Sequence, residues 1–213
     1  MSQTQVAKFL ADLRDALGKL ENLPMPTIAA IDGPALGGGL ELSLACDLRV
    51  AAINVLRGHS VKKIGLPETS LGIIPGAGGT QRAARLLGPS KAKDLIFTAR
   101  TLNAEEALAW GMTFRSCVVS GSRSLTRAGL VDYVSSPDTG AFDRALTVAE
   151  AIAKNAPLAL RAAKQSISRS EDLALETGLD FERASYETLL SSKDRLEALE
   201  AFREKRKPVF RGE

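Results

Sequence analysis

The residues best placed to do chemistry are a glycine triplet and two glutamates. Gly37-Gly38-Gly39 is followed two positions later by Glu41, and Glu68 closes the run Gly65-Leu-Pro-Glu68. The glycines stand where a helix should begin. Glycine leaves the main chain open to close approach, and the first N–H groups of a helix have no partner within it. Such N–H groups, backed by the helix dipole, suit a developing oxyanion. Glu41, in the first turn or so, is either a proton-transfer group beside that oxyanion site or a carboxylate that only complements the dipole. The second role is worth a few tenths to about 1 kcal/mol. Glu68 is likewise either an acid/base group or an ordinary loop carboxylate.

Other chemistries fit less well. The triplet is not the G-x-G-x-x-G of dinucleotide binding, and the acidic residue required after a second strand is missing. The lone histidine, His59, and the two cysteines, Cys46 and Cys117, have no zinc-ligand spacing and make no disulfide framework. No Ser/His or Cys/His arrangement suggests a nucleophile. Cys46 reads as a small core residue and Asp47 as structural.

Regular elements must position these groups. Val6, Phe9, Leu10, Leu13, Leu17 and Leu20 recur at helical spacing between charged residues, so residues 3 to about 22 read as an amphipathic helix ended by Pro24 and Pro26. A short buried strand, Thr27 to Ile31, precedes a tight Asp32-Gly33-Pro34 turn and the glycine-opened helix. Leu48 to Ala51 is a second strand. Gly76-Ala-Gly-Gly79 opens a helix over Thr80 to Leu87, closed by Gly88-Pro89. Helices come next over Lys91 to Ala99 and Ala104 to Trp110, the latter capped by Asn103. Leu130 to Val134 reads as a strand. The remainder is helical: Ala141 to Ala156, Leu158 to Ser168, Leu173 to Ser191 and Lys193 to about Lys205, with Pro157 at a first-turn position.

A chain of 213 residues that is 45% hydrophobic can bury one substantial core. A net charge of +3 is too mild to argue for nucleic acid. The most basic patch, Arg203 to Arg211, ends the last helix. Two cysteines fit a reducing, intracellular setting. No apolar run is long enough to span a bilayer, and Met1-Ser-Gln-Thr is not a signal or transit peptide.

The segment Gly33-x-Ala-Leu-Gly-Gly-Gly-x-Glu-Leu-x-Leu-x-Cys-Asp-x-Arg-Val-Ala51 resembles the first signature of the crotonase family, the enoyl-CoA hydratases and isomerases. Gly65-Leu-Pro-Glu-Thr-Ser-Leu-Gly-Ile-Ile-Pro-Gly-Ala-Gly-Gly-Thr-Gln-Arg82 resembles the second, and Ser192 to Pro208 the family's closing helix. Within the family the chain is most similar to the methylglutaconyl-CoA hydratase branch. The resemblance implies an α/β fold: a crotonase-like ββα spiral core lacking its first turn (residues 1–140, with inserts near 53–61 and 112–129), then a C-terminal helical oligomerisation region (141–213). Family members begin earlier, with a strand, a helix and a loop bearing the other oxyanion N–H, so the chain is expected to be N-terminally incomplete. The family also spaces its carboxylates more closely; the excess here falls in Ile53 to Val61. Met112 to Gly129, rich in Ser, Arg and Gly, reads as a surface insertion, although Arg115, Arg123 and Arg127 suit a phosphate or RNA contact.

By resemblance Gly38 supplies an oxyanion N–H, and Glu41 and Glu68 are the acid/base carboxylates that hold the attacking water. Leu36, Gly37, Gly38, Gly76, Phe202 and Lys205 would line the substrate and coenzyme A site, with Gly76 shaping the pocket beside Glu68. The implied function is hydration of a short-chain or branched 2-enoyl-CoA such as 3-methylglutaconyl-CoA, in fatty-acid or branched-chain amino-acid breakdown. Coenzyme A is part of the substrate, and no further cofactor or metal is implied. The alternative is a catalytically impaired crotonase-fold protein that only binds acyl-CoA or RNA. Loss of one oxyanion donor typically costs on the order of 10²–10³ in rate. RNA binding ranks last. A homotrimer or hexamer, no membrane association and a mitochondrial location complete what the resemblance implies.

Overall fold

The structure, a computed structural model, describes residues 2–53, 63–110 and 129–213. The stretches proposed as inserts, with His59, Cys117, Arg115, Arg123 and Arg127, lie outside the described residues apart from Ile53 and Gly129. The chain divides into two compact units. One comprises residues 1–22 and 27–146, the other residues 23–26 and 147–213.

The first unit winds as a repeated strand, short strand, helix. After helix α1 (Gln3–Glu21), β1 (Ile28–Ile31), β2 (Ala35–Leu36) and α2 (Gly38–Leu44) make one pass. β3 (Leu48–Ala51) and β4 (Ile64–Gly65) begin the next, succeeded by a 3-10 turn at Glu68–Leu71, α3 (Gly79–Leu87) and α4 (Pro89–Phe97). α5 (Ala104–Ala109) and β5 (Tyr133–Val134) come next, and α6 (Ala141–Ile152) begins in this unit and ends in the second. Strands of successive passes lie side by side. β1 pairs parallel with β3 (Ile28 opposite Leu48), β3 with β5 (Val50 opposite Tyr133), and β2 with β4 (Ala35 opposite Ile64). Parallel pairing requires a crossover between partners, which the helices supply.

Burial tracks position in the sheet. Central β3 has Arg49, Val50 and Ala51 all buried, whereas edge strand β1 buries only Ile31. The core between sheet and helices gathers Leu40 of α2, Ile64 and Leu66 around β4, Leu95 of α4, and Leu130, each completely buried. Full burial of each such side chain contributes about 1.5–3 kcal/mol. A buried charge is satisfied within this frame. Arg49 pairs with Asp132 (2.8 Å) and donates to the carbonyls of Leu130 and Cys46. Asp47 is structural, as expected: its carboxylate accepts from the Thr27 N–H (2.7 Å) and hydroxyl (2.9 Å), tying the start of β1 to that of β3. Cys46 is half-buried rather than a core residue.

Several boundaries differ from the sequence reading. The strand expected over Leu130 to Val134 is only Tyr133–Val134, because Leu130 and Val131 bond to the Ala107 carbonyl at the end of α5 instead of extending the ladder. Leu173 to Ser191 contracts to α8 (Leu175–Glu187), and Ala141 to Ala156 to α6. In the second unit α7 (Pro157–Ser168) carries Pro157 at its start, and α9 (Lys193–Glu204) is capped by the Ser192 hydroxyl. The tail folds back on α9. Buried Asp194 accepts from the Arg211 and Gly212 N–H groups (2.7 and 2.9 Å), and Arg206 chelates Glu197, holding that carboxyl down to about 2. No helix among the described residues is long and apolar enough to cross a membrane.

Candidate active site

The site forms where β2 and β4 end. Gly37, directly after β2, turns at φ 52°, ψ −122°, a conformation that favours glycine. Its N–H bonds to the Gly65 carbonyl of β4 (3.0 Å) and its carbonyl receives the Glu41 N–H (2.9 Å), which starts α2. Gly38 and Gly39 are exposed, and their N–H groups have no hydrogen-bond partner among the described residues. Bare N–H groups therefore stand exposed at the start of α2.

Glu41 is one turn along and almost wholly removed from solvent (3% exposed). Its Oε1 accepts two backbone hydrogen bonds, from Ala77 and Gly79, each 2.8 Å. Both donors belong to the Pro75–Gly79 loop that leads into α3. A Cβ on Gly79 would stand 2.9 Å from that same oxygen and 2.9 Å from the Pro75 ring, so only glycine allows the loop to close on the carboxylate.

Glu68 opens the 3-10 turn after β4 and is 9% exposed. A Cβ on Gly37 would lie 2.8 Å from its Oε1. Its Oε2 is buried without a hydrogen-bond partner among the described residues. Desolvation pushes the Glu68 carboxyl above the ordinary value of 4.5; its own backbone N–H opposes this, and the nearby charge of Glu41 adds to it. One glutamate is thus gripped by main-chain donors, and the other is desolvated with a free oxygen and an enhanced hold on its proton. Paired carboxyls in contrasting environments are suited to take a proton at one point and deliver one at another.

Of the residues singled out from sequence, Gly37, Gly38, Glu41 and Glu68 come together, with Leu36 exposed beside them at the end of β2. Gly76 is placed otherwise. A Cβ there would stand 2.9 Å from the Leu10 side chain of α1, and no atom of Glu68 lies within 4 Å of it. Phe202 and Lys205 stand at the C-terminal end of α9 in the second unit, Phe202 83% exposed and Lys205 closing the helix at φ 55°. Sequence reasoning missed the Ala77 and Gly79 donors. The signal was present in Gly76-Ala-Gly-Gly79, which reads equally well as a simple helix start. Among the described residues no three His, Cys, Asp or Glu side chains are grouped to hold a metal ion.

Comparison with known proteins decides the ancestry of this arrangement. The enoyl-CoA hydratase/isomerase family profile matches residues 1–121 and 119–213. The chain belongs to the enoyl-CoA hydratase/isomerase family. It is 50% identical over 212 residues to an enoyl-CoA isomerase/hydratase of Mycosarcoma maydis, matching 100% of this chain and 68% of that protein. It is 44% identical over 216 residues to the mitochondrial methylglutaconyl-CoA hydratase of Mus musculus, matching 100% of this chain and 61% of the relative. The chain therefore spans a little under two thirds of that hydratase. The crystal structure of an enoyl-CoA hydratase from Bacillus anthracis superposes with a TM-score of 0.83 at 43% identity, over 100% of this chain and 72% of that one. The expected crotonase fold is the observed one.

Proposed function

We propose that this hydratase/isomerase family member adds water across the double bond of a 2-enoyl-CoA thioester. The observation that carries the reading is the contrast between Glu41, fixed by two N–H donors, and Glu68, protonated to higher pH, beside the bare N–H groups of Gly38 and Gly39. The thioester oxygen takes up negative charge as C3 is attacked, and the Gly38 N–H stabilises it. Water bound between the carboxyls loses a proton to Glu41 as its oxygen bonds to C3. The π electrons pass to the carbonyl oxygen, and C2 of the resulting enolate receives a proton from Glu68. Proton exchange with solvent restores both carboxyls, so the sum is one water added. No other cofactor enters, because coenzyme A arrives with the substrate.

The finer assignment is a short-chain or branched substrate, with 3-methylglutaconyl-CoA as the leading candidate. The support is the 44% identity to proteins named methylglutaconyl-CoA hydratase. A mitochondrial location draws on the same names, although a relative in Bacillus subtilis is 42% identical. Exposed leucines on α8 and α9 (Leu175 75%, Leu196 58%, Leu199 49%) support assembly as a homotrimer or hexamer.

The deciding experiment measures the loss of enoyl-thioester absorbance with crotonyl-CoA and 3-methylglutaconyl-CoA, using the parent, Glu41→Gln and Glu68→Gln. Turnover by the parent and losses of about 10²–10⁴-fold in both variants are expected. A folded parent that binds acyl-CoA without turning it over would replace hydration by a binding role.

A further inference from the structure

The loop that grips Glu41 is itself held from outside. The Arg82 Nη1 of α3 donates to the Ala77 carbonyl (3.0 Å), on the residue whose N–H reaches Glu41. The opposite side of the same guanidinium is held by Glu21, the last residue of α1, through Nη2 to Oε2 (2.7 Å) and Nε to Oε1 (3.3 Å). A Cβ on Gly78 would collide with the Arg82 guanidinium, so the loop and the arginine are fitted to one another. Apolar contacts reinforce the same seat. Ala77 clusters with Leu17 of α1 and Ala45 after α2, and Gly76 lies against Leu10 of α1. The Arg82 side chain is 18% exposed and Glu21 47%, so this is a supported arginine rather than a loose surface pair.

We infer that Arg82, steadied by Glu21, is a positioning residue: bonded to the Ala77 carbonyl, it sets the Pro75–Gly79 loop at the depth where the Ala77 and Gly79 N–H groups hold the carboxylate of Glu41. The planar fork is what the position needs. It meets a carboxylate with two nitrogens while a third contact reaches the carbonyl, which a lysine ammonium on a flexible stem does not reproduce. The catalytic part of this inference rests on Glu41 acting as proposed above; the structural part does not. Helix α1 thereby acquires a task beyond core packing, since it anchors a brace whose other end is an active-site carboxylate.

Two readouts separate the inference from the hydratase reading. The first is amide hydrogen exchange at Ala77 and Gly79, measured by NMR in the parent, Arg82→Gln, Arg82→Lys and Glu21→Gln, with Asp132→Ala as a destabilised control remote from the loop. Arg82→Gln should accelerate both amides by about tenfold or more under conditions where core amides of α4 stay within about threefold. Glu21→Gln should give a smaller rise and Arg82→Lys an intermediate one, while the control moves protection generally without singling out these two amides. The second is hydration of crotonyl-CoA. A misplaced proton-transfer group lowers kcat, by up to about 10²-fold for a displacement near 1 Å, with KM within about threefold. Parent-like exchange at both amides in folded Arg82→Gln overturns the inference, whether or not the parent is active. Selective exchange with an inactive parent upholds the brace and refutes hydration instead. Selective exchange with an unchanged kcat overturns the catalytic part.

Discussion

Replacing Gly37 with alanine tests how closely Glu68 packs against the turn after β2. The position lies at φ 52°, ψ −122°, and the new Cβ would sit 2.8 Å from Oε1 of Glu68 and 3.4 Å from its Cδ. The backbone strain costs of order 1–3 kcal/mol. To reach ordinary contact the carboxylate must also retreat by roughly half an ångström or more, into a neighbourhood where its other oxygen is already buried without a partner among the described residues. Together these predict a loss of about 2–4 kcal/mol in stability and, with Glu68 in its proposed role of proton donor, about 10²-fold in kcat. Gly39→Ala is the matched comparison. Nothing lies within 4 Å of its Cβ, and it stands in the first turn of α2, where alanine meets no clash and gains at most about 1 kcal/mol over glycine. Urea unfolding monitored by circular dichroism gives the first quantity, and crotonyl-CoA hydration the second. Equal midpoints for the two variants, or a Gly37→Ala protein within about 0.5 kcal/mol of the parent, would refute the packing argument.

Glu68→Gln should separate stability from activity. Because the folded-state value lies above 4.5, this carboxyl's contribution is full below 4.5 and is lost as pH rises through the raised value. Relative to the parent, the variant should therefore gain stability between pH 4 and neutral; a difference in urea midpoints that does not vary with pH, or varies oppositely, would contradict the desolvation account. Asp132→Ala takes from Arg49, 5% exposed, the carboxylate that balances its charge, and a loss of about 3 kcal/mol is expected in the same melts; a loss under about 1 kcal/mol would show the carbonyls of Leu130 and Cys46 to be sufficient. Asp194→Ala removes both acceptors that hold the tail, so amide exchange at Arg211 and Gly212 should rise sharply with a cost of about 1–3 kcal/mol, whereas unchanged protection at those amides would mean the tail is held elsewhere.

The legibility of these features in sequence depended on whether the signal was local. Helices over α1, α3, α5, α7 and α9 were readable because their apolar period, the Asn103 cap and Pro157 all act within one or two turns. Glu41 and Glu68 were readable as a pair through the two family signatures, since neither position distinguishes itself from a helix-dipole or loop carboxylate alone. The shortness of β5 was not readable: Leu130 and Val131 satisfy the pattern of a strand, but the Ala107 carbonyl captures their N–H groups. The grip on Glu41 was equally hidden, because its donors are main-chain N–H groups that carry no residue signature. Gly79 is demanded by a carboxylate 38 positions away, and only the packed loop reveals why a side chain is forbidden there. Gly76 shows the converse, a glycine in a signature whose neighbour in space is Leu10 rather than the carboxylate near it in sequence.

The geometry of the carboxyl pair arises from the pairing of two very short strands. β2 and β4 lie parallel, with Ala35 opposite Ile64 and Leu36 opposite Gly65. Parallel neighbours bring their carboxyl ends to the same side, so the residues leaving each strand are delivered to one place. After Leu36 come the turn at Gly37 and the start of α2; after Gly65 come Leu66, Pro67 and Glu68. The Gly37 N–H bond to Gly65 fixes the register at its last step, and the missing Gly37 side chain lets Glu68 lie against that turn. Residues 52–63 join β3 to β4 in sequence. Lengthening such a connection costs only about 0.6 kcal/mol per doubling in closure entropy, whereas slipping β2 against β4 by one residue would remove the Gly37–Gly65 bond and turn each side chain to the opposite face. The register of β2 against β4, rather than the number of residues between the two carboxylates, is what brings Glu68 to the Gly37 turn.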